Sequence, residues 1–568
     1  GRIFILMVWD GLRPDLVTEE QTPNLFALAR EGVRFDHHHS VYPTLTMVNA
    51  AALATGATPE VDGILGNTMY LKPALDTQPD ADPELAEQIA HPLSLEKPKL
   101  LALLNGPHGF AGHLLGLDTV AQEVEREGGY IAVVGKDGPT FLFDNRVMSV
   151  NQGRDSLHMP HENYLFLSDS LVAPEPAGGS AIASAIKSLA VKTLPTAARD
   201  ALFTRVVTED AIPAAKAAAD RSRPALIVLW QHEPDWAQHR AGLGTLQDLE
   251  ALEAADANLG RLRAAIAAAR IGERTDLMVV SDHGFATMRM KVDLNGLLVK
   301  AGLKSSADST EMVLARNAGS DFIYLSAAKF PTLAQRLAIL QKIVKFAEAQ
   351  EWCGPIFSRD PSIEGTFSQA AVGIFSSRRS PDLMLSFREY PDLDNSGLTG
   401  PEHPAFELGL GGERAVRNES KQLVRPVKGL VYADTEGSKY SWTTGMGMHG
   451  AAGIRELHNF CAAIGPDFRR RFIDRFPTGN TDVAPTVARI FHLQPNVGPG
   501  GACASGRAMY EALPHEARAA SSARVTKMTT SLELQGMKVV TTLITTRLGD
   551  ELYLDDSSVE HIPLGRSP

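Results

Sequence analysis

The chain alternates short apolar runs with longer stretches in which apolar residues recur at helical spacing. Five of the runs are short and almost unbroken by charge, as expected for strands that are covered on both faces of a sheet. These runs are Ile3–Trp9, Tyr130–Val134, Ala225–Trp230, Leu277–Ser281 and Phe460–Ile464. Helices are predicted at Pro23–Glu31, Thr46–Ala54, Leu246–Arg270 and Asp482–Phe491. The alternation predicts an α/β fold with a central, mainly parallel sheet that is flanked by helices.

Two segments break this alternation and are predicted to be insertions. Residues 68–115 are rich in Pro, Gly and acidic residues, and residues 287–440 mix strands near Phe322–Leu325 and Leu383–Phe387 with a helix near Leu333–Ala347. We therefore divide the chain into a core (1–67, 116–286 and 441–510), an insertion beside the candidate site (68–115), a cap (287–440) and a small C-terminal β appendage (511–568). The β appendage is expected because the stretch Leu532–Leu543 is rich in Thr and Val. Long insertions of this kind usually carry substrate contacts.

Composition narrows the class of protein. Hydrophobic residues make up 44% of the 568 positions and charged residues 21%, which is the balance of a globular protein and excludes disorder. The net charge of −12 disfavours a nucleic-acid duplex or an anionic membrane as the main partner. The cysteines, Cys353, Cys461 and Cys503, are too few and too far apart for a disulfide framework, although one disulfide and a free thiol stay open. No apolar run reaches the about 20 residues of a transmembrane helix.

Aspartate and histidine residues recur where the predicted strands end. They are Asp10 after the first strand, Asp235 and His239 after the third, Asp282 and His283 after the fourth, and His449 in a glycine-rich stretch before the last strand. The i, i+4 spacing of Asp235 and His239 places both on one face of a helical turn. In open α/β sheets, ligands bind at the carboxyl ends of the strands.

Each of these residues alone has an ordinary structural explanation, such as a capping aspartate or a hydrogen-bonded histidine. Their repetition at four places in the chain favours a metal centre instead, and six such residues suit two divalent cations rather than one. A set of carboxylate and imidazole donors without thiolates fits zinc, with manganese or iron as alternatives.

Two hydroxyls, those of Thr44 and Thr46, lie at the start of the predicted helix Thr46–Ala54. The N-terminus of a helix presents backbone N–H groups and the positive end of the helix dipole, which suits an anionic phosphoryl group. Either hydroxyl could instead be an ordinary helix N-cap, and the local sequence leaves both interpretations open.

Taken in order, these motifs resemble the alkaline phosphatase superfamily, in its type I phosphodiesterase/nucleotide pyrophosphatase branch. The motifs are DGLRPD with TPNLFALAREG, YPTLTMVNAAALATGATPEVDGILGN, PDWAQH, SDHG, HGAAG with NFCAAIGPDF, and NTDVAPTVARIF. As an ordered set they run through most of the predicted core. The resemblance implies an alkaline-phosphatase-like core with two zinc ions at the carboxyl edge of its sheet.

The resemblance also implies roles for individual residues. One zinc would be held by Asp235, His239 and His449, and the other by Asp10, Asp282 and His283, with Thr46 as the nucleophile and a further ligand. Asn67, at the end of GILGN, matches the residue whose side-chain amide holds a phosphoryl oxygen.

The chain departs from the family pattern at two places. Met47 and Val48 stand where the family usually has an aromatic residue and a proline, and Asp62 stands where it usually has a histidine. Neither change removes a metal ligand, but both bear on the pocket that would pack a nucleobase.

Lys136, in AVVGKDGP, resembles the first lysine of the stretch with which related phosphomonoesterases and phosphonoacetate hydrolases hold extra phosphoryl oxygens. Gly138 stands where that stretch has its second cation, and a solvated loop lysine is the alternative interpretation of Lys136.

The function that the resemblance implies is zinc-dependent hydrolysis of a phosphodiester or phosphoanhydride through a covalent phosphothreonine at Thr46. A phosphomonoesterase or phosphonate hydrolase of the same superfamily is the alternative that Lys136 favours. An inactive ligand-binding homologue is a third hypothesis, although no expected ligand or nucleophile is missing. The expected partner is a small phosphate ester or nucleotide. The expected location is periplasmic or secreted, with any signal peptide either removed or left out of the sequence before Gly1.

Overall fold

The computed structural model describes residues 1–75, 83–144, 163–170, 172–173, 180–190, 193–398, 422–436, 442–494, 498, 503–514 and 522–564. None of the helices in these ranges is long and apolar enough to cross a membrane. Cys353 and Cys461 are buried, Cys503 is exposed and none of them is in a disulfide, so the disulfide that the sequence left open does not form.

The described residues form strands and helices throughout the chain. The strands are β1 (Ile3–Trp9), β2 (Val33–His39), β3 (Thr68–Met69), β4 (Leu93–Ser94), β5 (Tyr130–Gly135), β6 (Tyr164–Ser168), β7 (Val172–Ala173), β8 (Ala225–Gln231), β9 (Thr275–Val280), β10 (Ala286–Lys291), β11 (Met312–Asn317), β12 (Ser320–Leu325), β13 (Cys353–Ser358), β14 (Phe367–Ser368), β15 (Leu383–Phe387), β16 (Glu389–Asp394), β17 (Lys428–Ala433), β18 (Gly447–Met448), β19 (Cys461–Ile464), β20 (Phe472–Gly479), β21 (Arg524–Leu534), β22 (Met537–Leu548) and β23 (Glu551–Pro563). The α-helices are α1 (Pro23–Glu31), α2 (Thr46–Thr55), α3 (Pro59–Asp62), α4 (Lys72–Leu75), α5 (Pro83–Ile89), α6 (Pro98–Asn105), α7 (Val120–Arg126), α8 (Pro139–Phe143), α9 (Ala181–Leu189), α10 (Thr196–Val206), α11 (Ile212–Asp220), α12 (Asp235–Ala241), α13 (Leu246–Ala268), α14 (Leu294–Lys300), α15 (Leu333–Glu348), α16 (Ile454–Leu457) and α17 (Val483–Phe491).

The largest sheet has nine strands in the order β20-β2-β19-β9-β1-β8-β5-β6-β7. Strands β9, β1, β8, β5 and β6 run parallel to one another, and β2 runs parallel to β20. Strand β19 is antiparallel to both of its neighbours, and β7 is antiparallel to β6. The prediction of an α/β fold with a mainly parallel central sheet is therefore confirmed.

Strand β1 shows why an unbroken apolar run predicts a buried strand. All seven of its residues are buried. Because successive side chains point to opposite faces of a sheet, Phe4 and Leu6 pack into one apolar layer and Ile5 and Met7 into the other. Helices α2 and α17 cover the first layer, while α1, α10, α11 and α13 cover the second.

Four strands of the central sheet are missing from the sequence-based prediction. They are β2, β6, β7 and β20. Strand β2 reads VRFDHHH, so its charged and polar residues hide the apolar pattern, and β20 lies at the edge of the sheet, where one side is open to solvent. The strand predicted at Phe460–Ile464 forms at Cys461–Ile464, but it is antiparallel to its neighbours.

The insertions carry smaller sheets of their own. Residues 287–440 contain a five-stranded sheet in the order β11-β12-β15-β13-β14 and helix α15, in agreement with the strands and the helix that we predict there. Strands β21, β22 and β23 form an antiparallel sheet at the C-terminus. The domain boundaries themselves stay predictions.

Candidate metal centre

The predicted ligands meet at one edge of the central sheet. Asp10 follows β1, Asp235 is the first residue of α12 shortly after β8, and Asp282 and His283 follow β9. Because β9, β1 and β8 are parallel neighbours, their carboxyl ends lie side by side. Each of the six predicted Asp and His ligands is at most 6% exposed.

One group of candidate ligands consists of Asp235, His239 and His449. Their ligand atoms lie within 4.8 Å of one another. The Nε2 atoms of His239 and His449 are 3.3 Å and 3.5 Å from Asp235 Oδ1. His239 is one turn after Asp235 in α12, so the helical spacing that the sequence suggested brings the two side chains together.

A second group consists of Asp10, Asp235 and His283, whose ligand atoms also lie within 4.8 Å of one another. Asp282 adjoins it, since its Oδ2 is 3.2 Å from His283 Nε2, and Asp10 Oδ1 is 3.6 Å from the same nitrogen. Asp235 thus belongs to both groups, whereas the family pattern assigned it to one ion.

The three histidines share one orientation. In each, Nδ1 is hydrogen-bonded to a backbone carbonyl: His239 to Gly447 (3.0 Å), His283 to Gly284 (2.9 Å) and His449 to Thr44 (2.8 Å). A carbonyl oxygen only accepts, so Nδ1 must carry the proton in every ring. The lone pair of the neutral imidazole is therefore on Nε2, the atom that faces the carboxylates, which is the arrangement of metal-binding histidines.

The carboxylates present a matching set of oxygens. Asp10 Oδ1, Asp235 Oδ1 and Asp282 Oδ2 are buried and have no hydrogen-bond partner in the described part of the chain. The other oxygens of Asp10 and Asp282 are engaged, with Asp10 Oδ2 accepting from Trp230 Nε1 and Asp282 Oδ1 from the Gly11 N–H. Buried carboxylate oxygens without donors are costly, and divalent cations would satisfy them. The residues present therefore fit a metal centre.

Crowding of the carboxylates is visible in their pKa values. Burial, followed by the nearby charge of Asp10, raises the pKa of Asp282 well above its usual range. Burial also acts to raise the pKa of Asp235, but His239 and Lys136 outweigh it and hold that pKa well below its usual range. Ionising all of these carboxylates together is therefore costly without cations to balance their charge.

Thr46 is the first residue of α2, and its Oγ1 lies 3.2 Å from His283 Nε2. Leu45 precedes the helix, and no side chain caps it, so Thr46 is not an N-cap. The Thr44 hydroxyl points elsewhere, because it is 2.8 Å from the carbonyl oxygen of Ala451 and 2.9 Å from Glu456 Oε2. Of the two candidate hydroxyls, only that of Thr46 contacts the ligand groups.

Asn67 lies beside the start of α2. Its Oδ1 accepts a hydrogen bond of 2.9 Å from the Met47 N–H, which fixes the side-chain amide and leaves Nδ2 as the donor end. The placement suits the oxygen-holding role that the family pattern implies, and that role stays a prediction.

Lys136 reaches the ligand groups, so it is not a solvated loop residue. Its Nζ is 2.7 Å from Asp10 Oδ2 and 3.6 Å from Asp235 Oδ2. Burial lowers the pKa of Lys136, but Asp10, Asp235 and Glu96 raise it further, and the net shift is well upward. Lys136 therefore neutralises carboxylates, and contact with substrate stays a prediction.

The departures from the family pattern lie in the protein interior. Met47 and Val48 are fully buried, and Met47 belongs to the apolar layer that α2 covers. Asp62 Oδ1 accepts a hydrogen bond of 2.7 Å from the Ile64 N–H, and Arg379 lies close enough to counteract the raised pKa that burial gives this carboxyl. These residues pack or close a turn in the described structure.

Sequence reasoning missed a second polar cluster at the carboxyl ends of β5, β6 and β8. His232 Nε2 is 2.9 Å from Asp169 Oδ2, and its Nδ1 is 2.8 Å from Asp200 Oδ1. Burial opposes protonation, but the two carboxylates raise the pKa of His232 to about 10. Asp169 also accepts from the Asp137 N–H, next to Lys136. His232 is three residues before Asp235, which was the available signal, but Asp169 follows the unpredicted strand β6.

The fold and the site define an α/β protein whose sheet edge brings carboxylates, imidazoles and a hydroxyl together. Residues 4–389 of the 568 match the family model described as Type I phosphodiesterase / nucleotide pyrophosphatase. The chain belongs to this family, and the prediction of a hydrolase of the phosphodiesterase/nucleotide pyrophosphatase class is confirmed.

Curated relatives resemble a short part of the chain. The bis(5'-adenosyl)-triphosphatases of Xenopus laevis and Homo sapiens are 39% and 35% identical to it over 66 residues. Each match covers 12% of this chain and 15% of the relative. The matches therefore span less than a sixth of the length of these relatives.

Solved structures resemble most of the chain. An inactive variant of murine ectonucleotide pyrophosphatase / phosphodiesterase 5, in complex with AMP, has a TM-score of 0.51 at 16% identity. The human protein of the same name has a TM-score of 0.50 at 15% identity, and both comparisons cover 87% of this chain and 96% of the other. At this identity the likeness shows the shared fold.

Proposed function

We propose that the chain hydrolyses phosphodiester or phosphoanhydride bonds of small phosphate esters or nucleotides, with two zinc ions and with Thr46 as the nucleophile. The observation that carries the proposal is the placement of the Thr46 hydroxyl 3.2 Å from His283 Nε2, beside two adjoining groups of candidate ligands. Membership of the family supports the bond type, and the AMP complex of the murine relative supports a nucleotide.

The ligands would divide between two ions. His239 and His449 would serve one, Asp10, Asp282 and His283 the other, and Asp235 lies close enough to take part in both. Bound divalent cations lower the pKa of a coordinated hydroxyl and neutralise charge on the phosphoryl and leaving oxygens. Manganese or iron would suit the same donors less specifically.

The proposed hydrolysis has two steps at the same phosphorus. The Thr46 oxygen bonds to phosphorus while the bond to the leaving oxygen breaks, which gives a phosphothreonine; the proton of Thr46 passes, through water, to the leaving group, which departs as the alcohol or phosphate. Water then attacks the same phosphorus and restores the Thr46 hydroxyl. Asn67 Nδ2 and the Thr46 N–H would donate to a non-bridging oxygen as its charge develops, while the Met47 N–H holds Asn67 Oδ1.

The ion pair of Lys136 with Asp10 favours the diesterase over the monoesterase. A phosphomonoester brings one more negative charge than a diester, and a free cation would be needed to balance it. The Lys136 ammonium is already 2.7 Å from Asp10 Oδ2, so much of its charge is compensated within the protein.

The test compares kcat/KM for bis-p-nitrophenyl phosphate and p-nitrophenyl phosphate with zinc-loaded protein. We expect a ratio of diester to monoester well above one. Thr46→Val, which keeps the shape but removes the hydroxyl, should lower kcat at least about 10³-fold with zinc content largely unchanged. Thr46→Ser keeps a hydroxyl and is the matched control, with kcat expected within about tenfold of wild type.

A ratio well below one would contradict the diesterase and move the assignment to a phosphomonoesterase or phosphonate hydrolase. Undiminished turnover by Thr46→Val would exclude Thr46 as the nucleophile. Turnover that persists after chelation would exclude metal dependence.

We also propose a periplasmic or secreted location, by analogy with the ectonucleotide pyrophosphatases that share the fold. Fractionation of cells that express the full-length gene would test it, and enzyme found only in the cytoplasmic fraction would contradict it.

A further inference from the structure

A second set of side chains that could hold a metal ion shares no residue with the candidate metal centre. We call it the His39 cluster, and it consists of His39, His458 and Asp555, whose ligand atoms lie within 4.8 Å of one another. His39 is the last residue of β2, His458 follows α16, and Asp555 belongs to β23 of the C-terminal sheet. The cluster thus joins the central sheet to the C-terminal sheet.

The side chains of the cluster are held by the surrounding structure. His39 Nδ1 is 2.9 Å from the Thr478 carbonyl oxygen, to which it must donate its proton. His39 Nε2 then faces Asp555 Oδ1 at 2.8 Å, and Asp555 Oδ2 accepts a hydrogen bond of 2.7 Å from the Thr546 hydroxyl. The His39 ring is 2% exposed.

His458 supplies a nitrogen that has no role in hydrogen bonding. Its Nε2 is buried and has no partner among the described residues, while its ring is hydrogen-bonded to the backbone of Asp555. Its ring centroid lies 4.5 Å from that of His39.

We propose that the His39 cluster binds a third divalent transition-metal ion, for which Zn²⁺ fits best, and that this ion fastens the C-terminal sheet to the central sheet. Two imidazoles and one carboxylate without thiolates suit Zn²⁺, with water as the fourth ligand. The ion would replace the proton that His39 Nε2 must otherwise share with Asp555, and it would give His458 Nε2 a partner.

The geometry requires a small adjustment. Ligand atoms on one tetrahedral zinc are about 3.3 Å apart, given bond lengths of about 2.0–2.1 Å. His39 Nε2 and Asp555 Oδ1, now 2.8 Å apart, would therefore separate by about 0.5 Å. Asp555 is on the C-terminal sheet, whereas His39 is on the central sheet and His458 follows α16. The ion can therefore bind with three protein ligands only while the C-terminal sheet is docked, and binding would stabilise that docking.

The experiment counts zinc per chain after the full-length protein is stripped with a chelator, reloaded with Zn²⁺ and desalted. We expect wild type to hold one zinc more than either His458→Gln or Asp555→Asn. Thr546→Val, which removes a hydrogen bond to Asp555 but no ligand atom, is the matched control and should keep the third zinc. Circular dichroism confirms that each variant is folded.

Amide hydrogen exchange in β23 gives a second, independent readout, which can be measured in the wild-type protein. We expect Zn²⁺ to slow exchange in wild-type β23 at least about tenfold relative to chelated protein, and to have no such effect in His458→Gln. Equal zinc content in wild type, His458→Gln and Asp555→Asn would overturn the proposal. An amide exchange rate in wild-type β23 that is the same with and without Zn²⁺ would overturn it too. Stability lost in Asp555→Asn at unchanged zinc content would assign the cluster as an ion pair only and would also overturn it.

Discussion

Asp235 is the residue at which the two groups of candidate ligands meet. Its Oδ1 is 3.3 Å from His239 Nε2 and 3.5 Å from His449 Nε2, and it also lies within 4.8 Å of the ligand atoms of Asp10 and His283. A shared carboxylate of this kind couples the occupancy of two metal ions, because its charge stabilises both.

This sharing predicts different metal losses for two neighbouring substitutions. Asp235→Asn should lower the affinity for both of the proposed zinc ions. Each loss should exceed the about 10- to 100-fold loss that changes outside the ligand set cause. His239→Gln should lower the affinity for only one of the two ions. Equilibrium dialysis with zinc quantification measures both losses. An Asp235→Asn protein that releases only one ion would show that the carboxylate serves a single metal, as the family pattern implied.

At the scale of elements, the loops after β5, β6 and β8 are joined by the charged His232 and its two carboxylates. The imidazolium is 2.9 Å from Asp169 Oδ2 and 2.8 Å from Asp200 Oδ1. Asp169 in turn accepts from the Asp137 N–H, so the cluster fixes the loop that places Lys136 beside Asp10.

The raised pKa of His232, about 10, predicts how stability depends on pH. The folded protein binds this proton more tightly than the unfolded chain does, so the stabilisation is complete below about pH 6.5, the ordinary histidine pKa. It declines as pH rises and is lost above about pH 10. The difference in unfolding free energy between wild type and His232→Gln should therefore shrink steadily from pH 6 to pH 10.5.

Urea unfolding of both proteins across this range measures the difference. Thr208→Ala, at a half-buried position just after α10, serves as the control for the general effect of alkaline pH and should track wild type at every pH. A difference between wild type and His232→Gln that stays constant with pH would contradict the charged state of His232.

At the scale of the whole molecule, the C-terminal sheet is part of the packed interior. Leu543 and Leu554 lie in the same apolar cluster as Phe4 of β1 and Met47 of α2. Leu532 lies in the cluster that contains the apolar residues of β12, β13 and β15. The sheet therefore packs against both the central sheet and the insertion.

This packing predicts that Leu543→Ala, at a position that is 0% exposed, lowers the unfolding free energy of the whole protein by about 2–5 kcal/mol. Val525→Ala, in the same sheet but 67% exposed, is the control and should change it by less than about 0.5 kcal/mol. Denaturant titration followed by fluorescence measures both. If Leu543→Ala matched Val525→Ala, the sheet would not contribute to the stability of the core.

The sequence by itself determined the fold class and most of the candidate ligands. Apolar runs such as Ile3–Trp9 predict strands buried on both faces because both layers of the core draw on the same strand. Asp10, Asp282 and His283 could be predicted because each follows such a run, and parallel strands bring their carboxyl ends together. The spacing of Asp235 and His239 is a property of one helical turn, and short-range geometry of this kind is encoded locally.

Only the tertiary structure decided which distant groups meet. The contact of Lys136 with Asp10, the pairing of His232 with Asp169 and Asp200, and the meeting of His39 with Asp555 join residues far apart in the chain. Their side chains look like solvated polar residues in the sequence, because burial and partner charges arise only when strands from separate segments become neighbours. Strands β2 and β20 could not be predicted for the same reason. Their polar residues interrupt the apolar periodicity by which strands are predicted, yet these residues pair with neighbouring strands in the folded sheet.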